Sequence, residues 1–162
     1  MELLLEYLPQ WIGSNVIAIL ILVAAIKKPK LARVLFVLLF AWACWINYTT
    51  VHNSPEVYLE YALFTPFEFM RTFINGWFTA HVTWMVTLIS IGQGLIAIGM
   101  LLKGWFVRIA GIGAIIFLLA ITPLGIGSGF PCSIIAAVAV YIILKKDNLD
   151  YLWNFKTNRA TF

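Results

Sequence analysis

The stretch from His81 to Leu102, HVTWMVTLISIGQGLIAIGMLL, decides the fold. It contains no Asp, Glu, Lys or Arg. As a helix rising 1.5 Å per residue it extends about 33 Å, the thickness of a bilayer's hydrocarbon core. Hydrocarbon offers no partner to backbone N–H and C=O groups, so a single apolar segment in lipid must be helical. Thr83, Thr87, Ser90, Gly94 and Ala97 recur at spacings of three and four, with Gln93 beside them, and so share one face. Trp84, Met85, Leu88, Ile91 and Leu95 fall on the opposite side. One side suits lipid; the other suits neighbouring helices or a small cavity.

The rest of the chain has the same character. Of its 162 residues, 62% are hydrophobic and 11% charged, against about half and a quarter in soluble domains. The composition predicts one all-α membrane domain over 1–162. Five spans are expected, at 8–26, 31–48, 80–102, 105–122 and 128–144. Trp11 and the group Trp42, Trp45 and Tyr48 stand where interfacial aromatics belong. A four-span alternative leaves the N-terminal segment on the surface. The opening residues MELLLEYLPQ carry Glu2 and Glu6 rather than the basic start of a signal peptide, and are expected to be retained.

Charge orients the bundle. Lys27, Lys28, Lys30 and Arg33 follow the first span. Lys103 and Arg108 flank the turn after the third, and Lys145, Lys146, Lys156 and Arg159 follow the fifth. With five spans these fall on one side, and Arg71 alone falls on the other with Glu2, Glu6, Glu56, Glu60 and Glu68. Basic residues favour the cytoplasm, so the expectation is an inner-membrane protein with its N-terminus outside and its C-terminus cytoplasmic. The basic residues adjoin apolar spans, which points to lipid head groups and not to nucleic acid. Trp153 and Phe155 in the tail are expected to rest on those head groups.

The loop on the other side, Thr49 to Thr79, is unusually apolar. Ser54-Pro55 reads as a helix start. Thr65-Pro66-Phe67-Glu68 reads as a capping box. Phe67, Met70, Phe73, Ile74 and Trp77 then share a face, and Asn75-Gly76 reads as a stop. An amphipathic helical segment over 55–75, lying in the outer interface, is the expectation. It serves as a surface anchor or as a lid.

Polar groups inside spans are the candidates for chemistry. Gln93 lies near mid-span, where bonding to another helix is its commonest use. Asn47 lies near the outer end of the second span. Cys44 and Cys132 lie at depths compatible with a thiol pair, though two cysteines make no disulfide framework and match no zinc spacing. His52 and His81 flank the outer loop. With Glu56 or Glu68 they form only a weak metal candidate, because no HxxH or ExxH spacing supports them. GIGSGFP contains GxGxG but precedes a membrane span, so it reads as a turn dipping into the membrane and not as a nucleotide loop.

Arg33 to Leu144 resembles the DoxX-like family of small membrane proteins, which includes the DoxD-type subunit of thiosulfate:quinone oxidoreductase. RVLFVLLFAWACW resembles the family's first span. GQGLIAIGMLLKGWFVRIAGIGAIIFLLAITPLG resembles its paired second and third spans, with Gly94, Gly99 and Arg108 carrying the likeness. Gln93 stands where relatives often have glutamate, which weakens any carboxylate role there. The resemblance implies a four-helix bundle core, with the N-terminal helix added, and a link to sulfur, thiol or quinone redox chemistry.

The expectation that follows is a redox-associated membrane subunit holding a quinone or lipid-like molecule between helices. Asn47, Thr87 and Gln93 orient its polar head, and Trp45, Trp84 and Phe73 wall its apolar part. Electrons come from a protein partner, because the sequence shows no haem or iron–sulfur pattern. The rival reading is a non-catalytic accessory or assembly subunit of a larger membrane complex. A small-solute transporter ranks last, lacking an intramembrane carboxylate or inverted repeat.

Overall fold

A computed structural model describes residues 2–154, with side chains from Tyr7 onward. Five long helices dominate it: α1 (Glu2–Lys27), α2 (Pro29–Asn53), α5 (Thr79–Leu101), α6 (Trp105–Ile121) and α7 (Cys132–Lys146). Two short helices, α3 (Tyr61–Phe64) and α4 (Glu68–Phe73), lie between α2 and α5. No strand occurs among the described residues. Phe155, expected at the head groups, lies outside them.

Four helical stretches are long and apolar enough to cross a membrane: Tyr7–Lys27, Pro29–Asn53, Glu68–Leu101 and Trp105–Ser128. The fifth helix, α7, has 15 residues, about 22 Å of rise. It is nonetheless the helix on which the others close. α1 packs on α2, α2 on α5, α5 on α6, α6 on α7, and α7 returns to α1 while also touching α2. The core is built largely of alanine where α7 lies: Ala136, Ala137 and Ala139 meet Ala25, Ala32, Ala110 and Ala114. Small side chains let helix backbones approach closely, which is how helices associate where lipid removes the hydrophobic drive.

The helices have two kinds of end. At the basic end, Lys28 alone separates α1 from α2, whose first residue is Pro29, a position where a missing N–H costs nothing. Lys103-Gly104 turns α5 into α6 there, with Gly104 at a φ of 56°. At the loop end, residues 54–78 and the turn Thr122–Ser128 cover the bundle. A second apolar cluster sits there, built from Val51, Tyr58, Ala62, Ile74, Phe78 and Val86.

The loop departs from its expected form. Ser54-Pro55 does start a helical turn, Pro55–Tyr58. The capping box does not form. The Thr65 hydroxyl donates to Pro123 O at 2.7 Å and accepts from the Phe67 N–H at 3.3 Å. Glu68 pairs with Arg71 at 2.7 Å, and Arg71 also donates to Ala62 O and Thr65 O, carbonyls at the end of α3.

Asn75-Gly76 is not a stop. A glycine ends a helix by taking a left-handed conformation, and Gly76 is not among the positive-φ residues. The chain passes through a π-helical turn, Ile74–Phe78, directly into α5. Thr79 holds that wider turn, its N–H and its hydroxyl both bonding Ile74 O. Glu68 to Leu101 is therefore one run of 34 residues, about 51 Å long and longer than the hydrocarbon core. Of the face expected to be apolar, Ile74 is buried and Met70 half-buried. Phe67, Phe73 and Trp77 are exposed.

Candidate functional site

The polar seam lies between α2 and α5, which share the most extensive helix–helix interface among the described residues. The face foreseen on α5 packs inward only from mid-helix on: Thr87 and Gly94 are half-buried but Thr83 is exposed, and Met85, expected to face lipid, is half-buried against the second cluster. Ser90, Gln93 and Ala97 are buried, while Trp84, Leu88, Ile91 and Leu95 are exposed. Gly94 lets the helices meet: a β-carbon there would lie 3.1 Å from Cys44 Sγ.

Asn47 and Gln93 come together across this interface. The Asn47 side-chain amide donates to Gln93 Oε1 at 2.9 Å. The Tyr58 hydroxyl, from the loop, donates to Asn47 Oδ1 at 2.9 Å and approaches Asn47 O at 3.2 Å. Burial foremost, then the neighbouring Tyr61, pushes Tyr58 up to about 12, with a hydrogen bond to Thr50 opposing. Tyr58 therefore stays a neutral donor across the physiological range. The result is a chain from the loop to mid-span, each member bonded to the next. Sequence reasoning found Asn47 and Gln93 and missed Tyr58, whose only sequence signal was a tyrosine just after a helix-starting proline.

The other proposed ligand residues do not gather there. Thr87 donates to Thr83 O within its own helix at 2.6 Å. Trp45 and Trp84 are 62% and 60% exposed, and Phe73 is also on the surface. These aromatics face outward and do not wall the seam. Phe73 stacks on Trp77 and Trp77 on His81, with 5.9 Å and 4.3 Å between ring centres. Tyr48 and His52 pair similarly at 4.4 Å. Such a belt suits a membrane interface.

His52 and His81 each place Nδ1 against a carbonyl one turn back, at 2.7 Å and 2.8 Å. A carbonyl can only accept, so Nδ1 donates. No metal-binding cluster of His, Cys, Asp or Glu occurs among the described residues. Cys44 and Cys132 are free thiols with different neighbours. Cys44 packs at Gly94 of α5, and Cys132 lies near Ser14 of α1, both beside Gly129.

A groove that sequence reasoning did not foresee opens at the loop end beside α6. It has about 350 Å³ and is lined by Pro66, Phe67, Leu119, Thr122, Pro123, Gly125 and Phe130. Glycine shapes it. Gly125 sits at φ 65° and ψ −129°, and a β-carbon there would lie 2.7 Å from Phe64 O. Trp11 Nε1 donates to Phe130 O at 2.7 Å, and the Asn15 amide donates to Gly129 O at 3.0 Å. Together with Thr65 on Pro123, these bonds fix the groove's wall from both sides. Thr122 is the one hydroxyl on the lining. It donates back to Leu118 O and meets Ser133 Oγ at 3.1 Å.

At the basic end an ion pair is buried. Arg33 is 0% exposed. It donates from Nε to Met100 O at 2.7 Å, from one terminal nitrogen to Leu102 O, and from the other to Asp147 Oδ2 at 2.8 Å. One guanidinium thus satisfies carbonyls at the end of α5 and binds the residue that ends α7. Sequence reasoning counted Arg33 among the orienting charges only. The available signal was its place one turn inside an apolar span, with Asp147 among the few acidic residues on the basic side.

No family model, curated protein or solved structure matches this chain.

Proposed function

We propose that the chain is a five-span integral membrane protein of the inner membrane, N-terminus outside and C-terminus cytoplasmic. On this reading it is a DoxX-like, redox-associated membrane subunit that holds a lipid-like molecule, a quinone foremost, with electrons coming from a protein partner. Support for the fifth crossing comes from α7. Its first turn lies beside Ser14 and Thr122 at the loop end, and the residue after it meets Arg33 at the opposite end. The orientation rests on the distribution of Lys and Arg.

The observation that carries the binding reading is the groove beside Leu119 and Phe130. Its lining is apolar with a single hydroxyl, which suits an isoprenoid tail or an acyl chain. The bound molecule would supply redox chemistry; Pro66, Phe67, Leu119 and Phe130 would hold its apolar part and exclude water. Asn47 and Gln93 do not line this groove and are bonded to each other, so their place in this reading is to join α2 to α5.

Purification in native nanodiscs followed by mass spectrometry of the extracted lipids tests it. The expectation is a quinone at near-stoichiometric amount, lost in Leu119→Trp and kept in Gln93→Leu. Absence of any enriched apolar molecule, or retention in Leu119→Trp, would overturn it. A second reading, an assembly subunit without a ligand, is favoured by the closed seam between α2 and α5. It predicts a larger complex by native mass measurement and no enriched molecule.

A further inference from the structure

The described part of the tail folds across the basic end and leaves Trp153 exposed. Asp147 leaves α7 in an extended conformation, and the segment 147–154 turns back over the helix ends. Leu149 and Leu152 are buried, at 6% and 7% exposure. Leu149 O accepts from the Gly104 N–H at 2.7 Å, in the turn between α5 and α6. Lys103 Nζ lies 5.1 Å from the centre of the Tyr151 ring. Lys30 Nζ donates to Asn154 O. At the root of the segment Asp147 holds Arg33.

Two features make this strap releasable. Leu149 sits at a φ of 55°, a left-handed conformation that a branched side chain adopts only when its surroundings impose it. The strap's outer fastenings, moreover, are lysines, Lys103 exposed and Lys30 half-buried at the basic end. Lys30 and Lys103 are positioned where an anionic lipid head group would also bind them, and such head groups concentrate at a membrane surface next to basic residues.

We propose that residues 147–154 form a strap rooted on the Arg33–Asp147 pair, and that anionic lipid head groups release it by competing for Lys30 and Lys103. The proposal rests on the membrane reading above, with the basic end at a bilayer surface. Head groups draw the two lysines away from Asn154 and Tyr151, while the buried pair keeps the root in place. The strap then opens from its far end, and the turn at Gly104 loses its cover.

Amide hydrogen exchange of the full chain separates these claims. Incorporation into nanodiscs tests the membrane reading; lipid dependence tests the strap. In phosphatidylcholine nanodiscs the Gly104 amide and the amides of 149–154 are expected to be protected. In phosphatidylglycerol nanodiscs they should exchange roughly tenfold faster, with α2 and α5 unchanged. Inorganic phosphate added to neutral nanodiscs should have no such effect, because the competing group is held at the bilayer surface. Lys30→Gln combined with Lys103→Gln should exchange fast in both lipids and lose the difference between them. Equal protection of the wild type in both lipids would overturn the proposal. So would acceleration spread evenly over all helices, or persistence of the lipid effect in the double variant.

Discussion

The two ends of the bundle are closed by different chemistry. At the basic end a guanidinium shielded from water holds two carbonyls of α5 and a carboxylate after α7. At the loop end neutral side chains do most of the tying, and the charged pair there, Arg71 with Glu68, is exposed to solvent. Trp11 and Asn15 reach Phe130 and Gly129 from α1, Thr65 reaches Pro123 from the loop, and Tyr58 reaches Asn47. Neutral bonds to backbone contribute about 1 kcal/mol each and can be lost singly. A buried charge has no such tolerance, because removing its partner leaves it stranded. The comparison teaches that the basic end opens all at once or only by its strap, whereas the loop end gives way bond by bond and can accommodate a ligand.

The largest expected effect follows from that asymmetry. Asp147→Ala strands Arg33 and should destabilise the bundle by about 3–5 kcal/mol, measured by reversible unfolding in bicelles. Arg33→Met combined with Asp147→Leu should recover part of that loss, since no charge then remains buried although Met100 O and Leu102 O lose their donor. If Asp147→Ala costs no more than a loop-end substitution, the two ends do not differ as described.

Next comes the groove's glycine. Gly125→Ala meets both an unfavourable backbone conformation and the Phe64 carbonyl, and should cost about 1–3 kcal/mol in the same assay. Its damage should stay local, raising exchange in residues 122–130 without loosening the strap.

The seam between α2 and α5 should matter less. Gln93→Leu is expected to cost about 1 kcal/mol, and a double-mutant cycle with Asn47→Leu should return a coupling of similar size. Zero coupling would mean that the two amides do not bond in lipid.

The smallest effect is one of pH. Asp150 in the strap is held below its ordinary value of 3.8, first by the Tyr151 N–H, with desolvation opposing and Asn154, Lys103 and Lys30 adding to the lowering. A depressed carboxyl stabilises while ionised and is lost as pH falls through its folded value. Strap protection, corrected for intrinsic exchange, should therefore be flat between about pH 5 and 8 and decline only below about pH 4.

The helices were legible because lipid imposes one rule on every span, and apolar runs between basic turns expose it. The inward face of α5 was legible for the same reason: Ser90, Gln93 and Ala97 interrupt an otherwise greasy surface. A bond to another helix was foreseen for Gln93 as its commonest use, but Asn47 was not foreseen as its partner. Of what escaped, three points show why. Asn75-Gly76 failed as a stop because Thr79 bridges a widened turn, an effect of a hydroxyl four residues beyond the Asn. Trp45, Trp84 and Phe73 faced outward because an aromatic near a span's end serves the interface as well as it serves a pocket. The Arg33–Asp147 pair joins residues far apart in the chain, and no local pattern encodes which basic residue a lone carboxylate will meet.

The most direct test of the account is the side on which each end of the chain lies. Reporter fusions at the two termini, read in intact cells, should place the N-terminal one outside and the C-terminal one in the cytoplasm. Both reporters on one side would give an even number of crossings and contradict the five-span bundle.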